Sequence, residues 1–332
     1  MSNKYYLFLI CTITLFFVQP IDLLNAQNIP AKITFHLLDD SNHPITGVAL
    51  TMGSYVSKAW NSAATLTNAT GFTDGNGNVS LQIPSQTGVI YFSHQGDTAY
   101  YSTGGQYQYS WTNTNGGKWQ PWNPTVDVVV KPILNPIPMY ARNMGASPDD
   151  VLKLPQLNTP IGFDLEAADW VAPYGKGASA DFIFTLSDKG STNGIQKPTE
   201  STLTISFPNK GDGIQSVISS AQNQESALRL PRYAPEGGFE SPLVIKKSSQ
   251  YTQGLLNQNQ NNFFRVRTLL DEQGHVKSAL YGKIAGPILI RTQGRLQFTY
   301  YLNPTPNDRN MEFNPTKNLF QNLPMMQQVK AP

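Results

Sequence analysis

Apolar and polar residues alternate with a period of two along most of the chain, the signature of half-buried strands. Ile33, Phe35 and Leu37 alternate with polar neighbours and run into Asp39-Asp40-Ser41-Asn42-His43-Pro44, a cluster of turn formers. Val48 and Leu50 open a second strand. Thr73-Asp74-Gly75-Asn76-Gly77-Asn78 is a dense turn signal leading into Val79, Leu81 and Ile83. Val89 to Phe92 is a short continuous apolar run, expected of a strand covered on both faces. Val126, Val128 and Val130 form one face of a strand that closes the region. Short strands at regular spacing with Gly, Asn and Pro turns predict a β-sandwich over residues 27–131.

A second alternating stretch runs over 161–315. Phe182, Phe184 and Leu186 alternate, as do Leu203, Ile205 and Phe207. Phe264 and Val266 stand opposite Arg265 and Arg267, which predicts one apolar and one charged face. Asp271-Glu272-Gln273-Gly274 separates Leu269-Leu270 from the Val276 strand as a hairpin turn. Leu296, Phe298, Tyr300 and Leu302 make a strand that ends at Asn303-Pro304. This stretch reads as a second, larger β-sandwich or jelly roll. Between the two, Pro132, Pro136, Pro138, Pro148, Pro155 and Pro160 mark residues 132–160 as a connector, with one helical turn at Ser147-Pro148-Asp149-Asp150. The longest helical candidate, Ile214 to Leu228, has poor apolar spacing. The tail, 316–332, is short enough for a terminal turn of helix. The predicted fold class is therefore all-β, with two sandwiches in tandem.

The segments HPITGVAL (His43 to Leu50) and TDGNGNVSLQIP (Thr73 to Pro84) resemble the carboxypeptidase regulatory-like domains. The resemblance covers about 100 residues, 31–131. It implies a seven-stranded transthyretin-like or Ig-like sandwich serving as an accessory module of an exported bacterial protein, rather than a reaction. The long aromatic insertion from Tyr100 to Trp122 departs from that pattern. NPIPMYARNM, IGFDLEAADWVAPYGKG, RVRTLLDEQGHVKSALYGKI and YYLNPTPNDRNMEF are similar to stretches of exported bacterial proteins, a resemblance that implies no particular activity.

The first residues set the expected compartment. Lys4 supplies a positive charge, Tyr5 to Val18 form an apolar run, Pro20 breaks it, and Leu24-Asn25-Ala26 offers a small residue before Gln27. That is the pattern of a cleaved signal peptide over 1–26. About 14 apolar residues are too few for a span that needs roughly 20, so no membrane span is expected after cleavage. Cys11, the only cysteine, lies inside the run, so the exported chain holds no disulfide or thiolate ligand. Charged residues make up 14% and the net charge is +2. With no basic stripe, nucleic acid is not expected as a partner. The expected location is extracytoplasmic: secreted, periplasmic or on the cell surface.

Candidate chemistry is sparse. Asp74, Asn76 and Asn78 have the oxygen spacing of a calcium loop, but Pro84 and Ser85 stand where its closing carboxylate belongs, which favours a plain hairpin turn. Calcium is the sole cofactor these residues suggest. Asp164 and Glu166 share a face at strand spacing, and Asp169 follows; paired carboxylates of this kind flank the bond in glycoside hydrolysis, and they also form ordinary solvated strand faces. His36, His43, His94 and His275 lack ligand spacing, and Asp308-Arg309 lies in a Pro-punctuated turn. The most unusual feature is Tyr107, Tyr109, Trp111, Trp119 and Trp122 among Gly, Ser, Asn, Gln and Thr. Such residues either pack over the end of the first sandwich or present flat faces on which sugar rings stack. The favoured reading is a non-enzymatic binding or structural protein that meets polysaccharide or a protein partner at the cell surface. The alternative is an extracytoplasmic polysaccharide-active hydrolase using Asp164, Glu166 or Asp169.

Overall fold

The computed structural model describes residues 28–57, 63–110, 114–146, 151–189, 200–218, 224–248 and 260–332. The expected signal peptide, Cys11, Trp111 and the helical turn at 147–150 lie outside them. Among the described residues there is no α-helix, and no helix long and apolar enough to cross a membrane. The all-β expectation holds.

The first sandwich is made of β1 (Ile29–Leu38), β2 (Ala49–Val56), β3 (Thr65–Phe72), β4 (Asn78–Ser85), β5 (Val89–His94), β6 (Thr103–Gln108), the short hairpin β7 (Thr114–Asn115) and β8 (Lys118–Trp119), and β9 (Thr125–Val129). One sheet has the order β4-β1-β9, with β1 and β9 parallel; the other is β6-β5-β2-β3, all antiparallel. Period-two alternation does here what it predicts. Ile33, Phe35 and Leu37 of β1 and Val79, Leu81 and Ile83 of β4 face Leu50, Met52, Ile90 and Phe92 in one closed core.

Three turns share one construction: the Asp271 turn joins the paired strands β19 and β20, whereas the Asp39 and Asp74 turns, the second expected as a hairpin, carry the chain from one sheet to the other. The Oδ1 of Asp39, Asp74 and Asp271 accepts the backbone N–H of the residues two and four further on, at 2.8–3.0 Å. At Asp39 and Asp271 the fourth residue is a histidine whose ring reaches the second carboxylate oxygen at 3.3 Å. Gly77 closes the Asp74 turn at φ +75°, and a Cβ there would stand 2.7 Å from the Leu37 carbonyl oxygen. Only glycine fits that approach.

The second sandwich comprises β10 (Tyr140–Met144), β11 (Leu152–Lys153), β12 (Ile161–Asp164), β13 (Asp169–Trp170), β14 (Phe182–Lys189), β15 (Glu200–Ser206), β16 (Gly213–Ile218), β18 (Leu243–Ser248), β19 (Gln260–Leu270), β20 (Val276–Ile290) and β21 (Arg295–Asn303); β17 (Gln224–Ser226) follows β16 in the chain but lies in neither of its sheets. One sheet runs β13-β12-β14-β15-β18, the other β10-β21-β20-β19-β16, with β11 also on β21. Between them lies an aromatic-rich core containing Phe163, Trp170, Phe182, Phe184, Phe264, Phe298 and Tyr300. The second sheet is covered on its outer face too, where Leu230, Ala234, Met311, Phe313 and Val329 pack on Phe263, Tyr281 and Tyr301. With both faces covered, the middle of this sheet buries side chains on both sides, as at Phe263 and Phe264 of β19.

Three expectations need correction. The connector 132–160 supplies β10 and β11: its prolines fix extended backbone, and the proline-free stretch 139–144 is left free to pair with β21. The helical candidate Ile214 to Leu228 contains β16 and β17, because β16 finds a ladder on β19. The tail does form short helical turns, of 3-10 type, at Pro315–Lys317 and Met325–Gln327. Arg265 and Arg267 do not share a face. A bulge between Val266 and Leu269, with Arg267 at φ +54°, sends Arg265 over the Phe239 ring and Arg267 to the carboxylates described below.

The two sandwiches are not independent beads on a string. Strand β17 comes from the second half of the chain but pairs antiparallel with β6, extending the first sandwich's sheet to the order β17-β6-β5-β2-β3.

Candidate functional site

The expected aromatic platform is mostly structural. Tyr109 and Trp119 are 1% and 3% exposed. Their rings stack at 5.9 Å, the Tyr109 hydroxyl donates to the Lys32 carbonyl at 2.9 Å, and the Trp119 indole N–H donates to the Ser85 carbonyl at 3.2 Å. Tyr107 packs edge-on against Tyr109 at 4.9 Å and is half-buried against the same core. Trp122 is partly exposed, with Lys118 Nζ 4.7 Å above its ring. The aromatics thus close the end of the first sandwich, and the polar tips of Tyr109 and Trp119 are satisfied by backbone carbonyls, as buried Tyr and Trp require.

The carboxylates of the second sandwich are likewise engaged. β12 ends at Asp164 and Glu166 lies in the following turn, so the two do not share a strand face. Asp164 accepts four backbone N–H groups, from Glu166, Ala167, Ala178 and Ser179, at 2.9–3.1 Å. Burial pushes its carboxyl up, but the four amides outweigh that and hold it below the ordinary aspartate value. Asp169 accepts from the Trp170 and Lys176 amides. Arg267 ties the group together: it binds Asp181 through two nitrogens at 2.8 and 3.0 Å, Glu166 at 2.9 Å and Asp164 at 3.4 Å. Burial alone would lower the Arg267 pKa, yet Asp181 and Glu166 raise it. Asp164 is thus a loop organiser, and no oxygen of it stands free to exchange protons with a substrate. At the suggested calcium loop, Oδ1 of Asp74 accepts two amides of its own turn.

Sequence reasoning missed Glu312, which is fully buried where the two sandwiches meet. Its carboxylate pairs with Arg232 at 2.6 Å and accepts from the Tyr101 hydroxyl at 2.8 Å and the Leu134 and Asn135 amides at 3.0 and 2.9 Å. Arg232 continues to the Pro132 carbonyl at 2.8 Å and to Asp40 at 3.3 Å, and Lys131 Nζ donates to the Leu228 carbonyl at 2.8 Å. Burial raises the Glu312 carboxyl, and Arg232 with the two amides more than offsets it, so the group stays below the ordinary glutamate value. The available signal was a carboxylate between Met311 and Phe313, a weak one because Asn310 and Asn314 flank the three.

Beside this joint, the outer face of the first sandwich's larger sheet opposes the outer face of β20 and β21 across a cleft of about 1090 Å³. One wall carries Tyr91, Ser93, Thr103 and Gln106, the other Asn143, Ala285, Thr299 and Tyr301. The bulge of β20, with Gly286 at φ +79°, opens the second wall, and the Gly286 N–H is held by Asn261 at 2.8 Å. The acidic and basic side chains along it are Glu225 and Arg229, paired with each other at 2.9 Å, and Lys330 from the tail. Tyr91 is 42% exposed and meets Tyr55 edge-on at 5.8 Å. This nearly neutral, aromatic and amide-bearing cleft is the candidate functional site.

No family model matches the chain, and no curated protein matches it. Among solved structures it is similar to a point mutant of the shaft pilin SpaA of Lactobacillus rhamnosus GG, at 15% identity over 55% of this chain and 89% of that one. The TM-score of 0.23 is too low for that likeness to bear on fold or function.

Proposed function

We propose that this is an extracytoplasmic, non-enzymatic binding or structural protein that takes a neutral polysaccharide in the cleft between its two sandwiches. The observation that carries the reading is the lining of that cleft. Tyr91 offers an exposed ring face, and Gln106, its cross-strand partner, stands beside it with Ser93. Sugar rings present apolar faces and a belt of hydroxyls, which stacking and amide hydrogen bonds match without charge. The ion pair within the cleft, Glu225 with Arg229, is already self-neutralised. The engaged state of Asp164 and Asp169 gives no support to the hydrolase reading. A carboxypeptidase regulatory-like first domain, as an accessory module, and an exported location fit this proposal.

The test is a binding screen of residues 27–332 against soluble and insoluble neutral glycans, repeated with Tyr91→Ala and Gln106→Ala. Both side chains point out of the core, so both variants should fold. Loss of one stacking face should weaken binding by about tenfold, equivalent to about 1.4 kcal/mol. Trp122→Ala, outside the cleft, should bind as the parent does. No binding by the parent chain to any neutral polymer overturns the proposal.

A further inference from the structure

The sheets end in edges, and the edges are guarded unequally. An edge strand offers a row of unpaired N–H and C=O groups, and proteins blunt such edges with charge, proline, brevity or cover. β4 carries Pro84, β9 carries Asp127, β10 carries Arg142, and β18 carries Lys246 and Lys247. β13 and β17 are only two and three residues long. β16 is uncharged, but Glu240 covers it through a two-bond bridge at Ile214. β3, Thr-Leu-Thr-Asn-Ala-Thr-Gly-Phe, is eight residues long with no charge, no proline and no register shift against β2. It is last in its sheet, and no strand among the described residues covers its free side.

We propose that β3 is a self-pairing edge: two copies of the chain join β3 to β3 antiparallel about a two-fold axis, fusing their five-stranded sheets into one. The phase of the ladder shows which groups are free. The Thr73 N–H donates to the Val48 carbonyl, so odd-numbered residues of β3 bond inward to β2. Leu66, Asn68, Thr70 and Phe72 then point their backbone groups outward. In the register that sets Ala69 against Ala69 of the second copy, Leu66 faces Phe72 twice and Asn68 faces Thr70 twice. Leu66 and Phe72 are 53% and 70% exposed in the single chain. Self-pairing would cover both and form about eight backbone hydrogen bonds. The occupant is a second copy because the sequence complements itself in this one register. No charge meets its like across the axis, and the residues on the opposite face, Thr67, Ala69 and Gly71, are small enough for close approach at the centre. A two-fold contact of this kind closes on itself and leaves no free β3 edge.

The experiment is sedimentation velocity of residues 27–332 over a range of concentrations, with far-UV circular dichroism as the fold control. The parent chain is expected to dimerise reversibly. Asn68→Lys with Thr70→Lys sets like charges directly opposite twice, and should weaken the dimer at least about tenfold. Asn68→Lys with Thr70→Glu sets opposite charges across the axis, and should restore it. A parent chain that stays monomeric overturns the proposal. So does a dimer indifferent to the paired lysines, or a Lys/Glu variant no better than the Lys/Lys one. Glycan binding in the cleft does not enter this readout, so the two proposals fail separately.

Discussion

Two buried ionic clusters hold this molecule, and they differ in what they join. Arg267 gathers Asp181, Glu166 and Asp164 at the end of β12, inside one sandwich. Glu312 gathers Arg232, Tyr101 and two amides at the seam between two sandwiches. The first is redundant, since Arg267 has three carboxylates and Asp164 has four amides besides. The second centres on one side chain. A buried charge with several partners survives the loss of one, whereas removing a single central carboxylate takes an acceptor from every donor around it at once. Local order is therefore overdetermined, and the placement of one sandwich against the other rests on few groups.

The largest effect should come from Glu312→Ala. It leaves Arg232 with only the Pro132 carbonyl and Asp40, takes the acceptor from Tyr101 and two amides, and should cost about 4 kcal/mol. Calorimetry should resolve the single transition into two, as the sandwiches lose their shared anchor. The pH dependence has a definite sign. The Glu312 pKa is below its ordinary value in the folded chain, so its contribution is full above the unfolded glutamate value and is lost as pH falls through the lower folded one. The parent should lose stability on acidification in that window, and Glu312→Gln should lose less. An unchanged melting curve for Glu312→Ala would refute the seam's role.

Asp181→Ala tests the redundant cluster. Arg267 keeps Glu166 and Asp164, so the loss should be about 2 kcal/mol, confined to the second sandwich. Near-UV signals from Trp170 in that core should melt earlier, and Trp119 in the first core should not. If Asp181→Ala instead costs as much as Glu312→Ala, the contrast between redundant and single anchors fails.

How much of this was legible beforehand depends on range. Ile33-Phe35-Leu37 and Leu296-Phe298-Tyr300-Leu302 announce strands because a sheet with one buried face imposes period two on its own sequence. The three Asp turns were visible as turn residues, though their shared capping geometry was not. Arg267 and its carboxylates lie some hundred positions apart, and nothing local in either segment declares the pairing. The reading of Asp164 and Glu166 as one strand face failed because the strand stops at Asp164 to let its carboxylate cap the next turn. Tyr109 and Trp119 read equally well as platform or packing, since flat rings with polar tips suit both; the Lys32 and Ser85 carbonyls decided it. Lys283 could have been singled out by a simple rule, a lone charge inside an apolar run, whereas Glu312 has only Met311 and Phe313 beside it between asparagines.

Lys283 sharpens the contrast from the opposite side, as a buried charge without a carboxylate in hydrogen-bond contact. It is 1% exposed, donates to the Met311 carbonyl at 2.7 Å and lies 4.4 Å from the centre of the Tyr301 ring. Burial pushes its pKa down to about 7. The unfolded chain therefore binds more protons than the folded one between about 7 and the ordinary lysine value, and stability should climb as pH rises through that window. Lys283→Met should stabilise the protein at neutral pH by about 1–2 kcal/mol and flatten the climb. A parent whose stability is level across that window would contradict this.

The smallest effect should come from the exposed carboxylates that cap turns, and it sets the scale for the rest. Asp74 accepts two amides, as Asp164 accepts four, yet the Asp74 turn stands in water that takes over the freed N–H groups at once. Asp74→Ala should lower Tm by about 2 °C, near the bottom of the range for a lost cap in a chain of this size. Asp164→Ala, with the same kind of bond inside a covered loop, should lower it several times more. Number of hydrogen bonds alone would predict a ratio of two. A ratio well above two would show that access of water, rather than the count of bonds, separates the turns of the first sandwich from the anchored loop of the second.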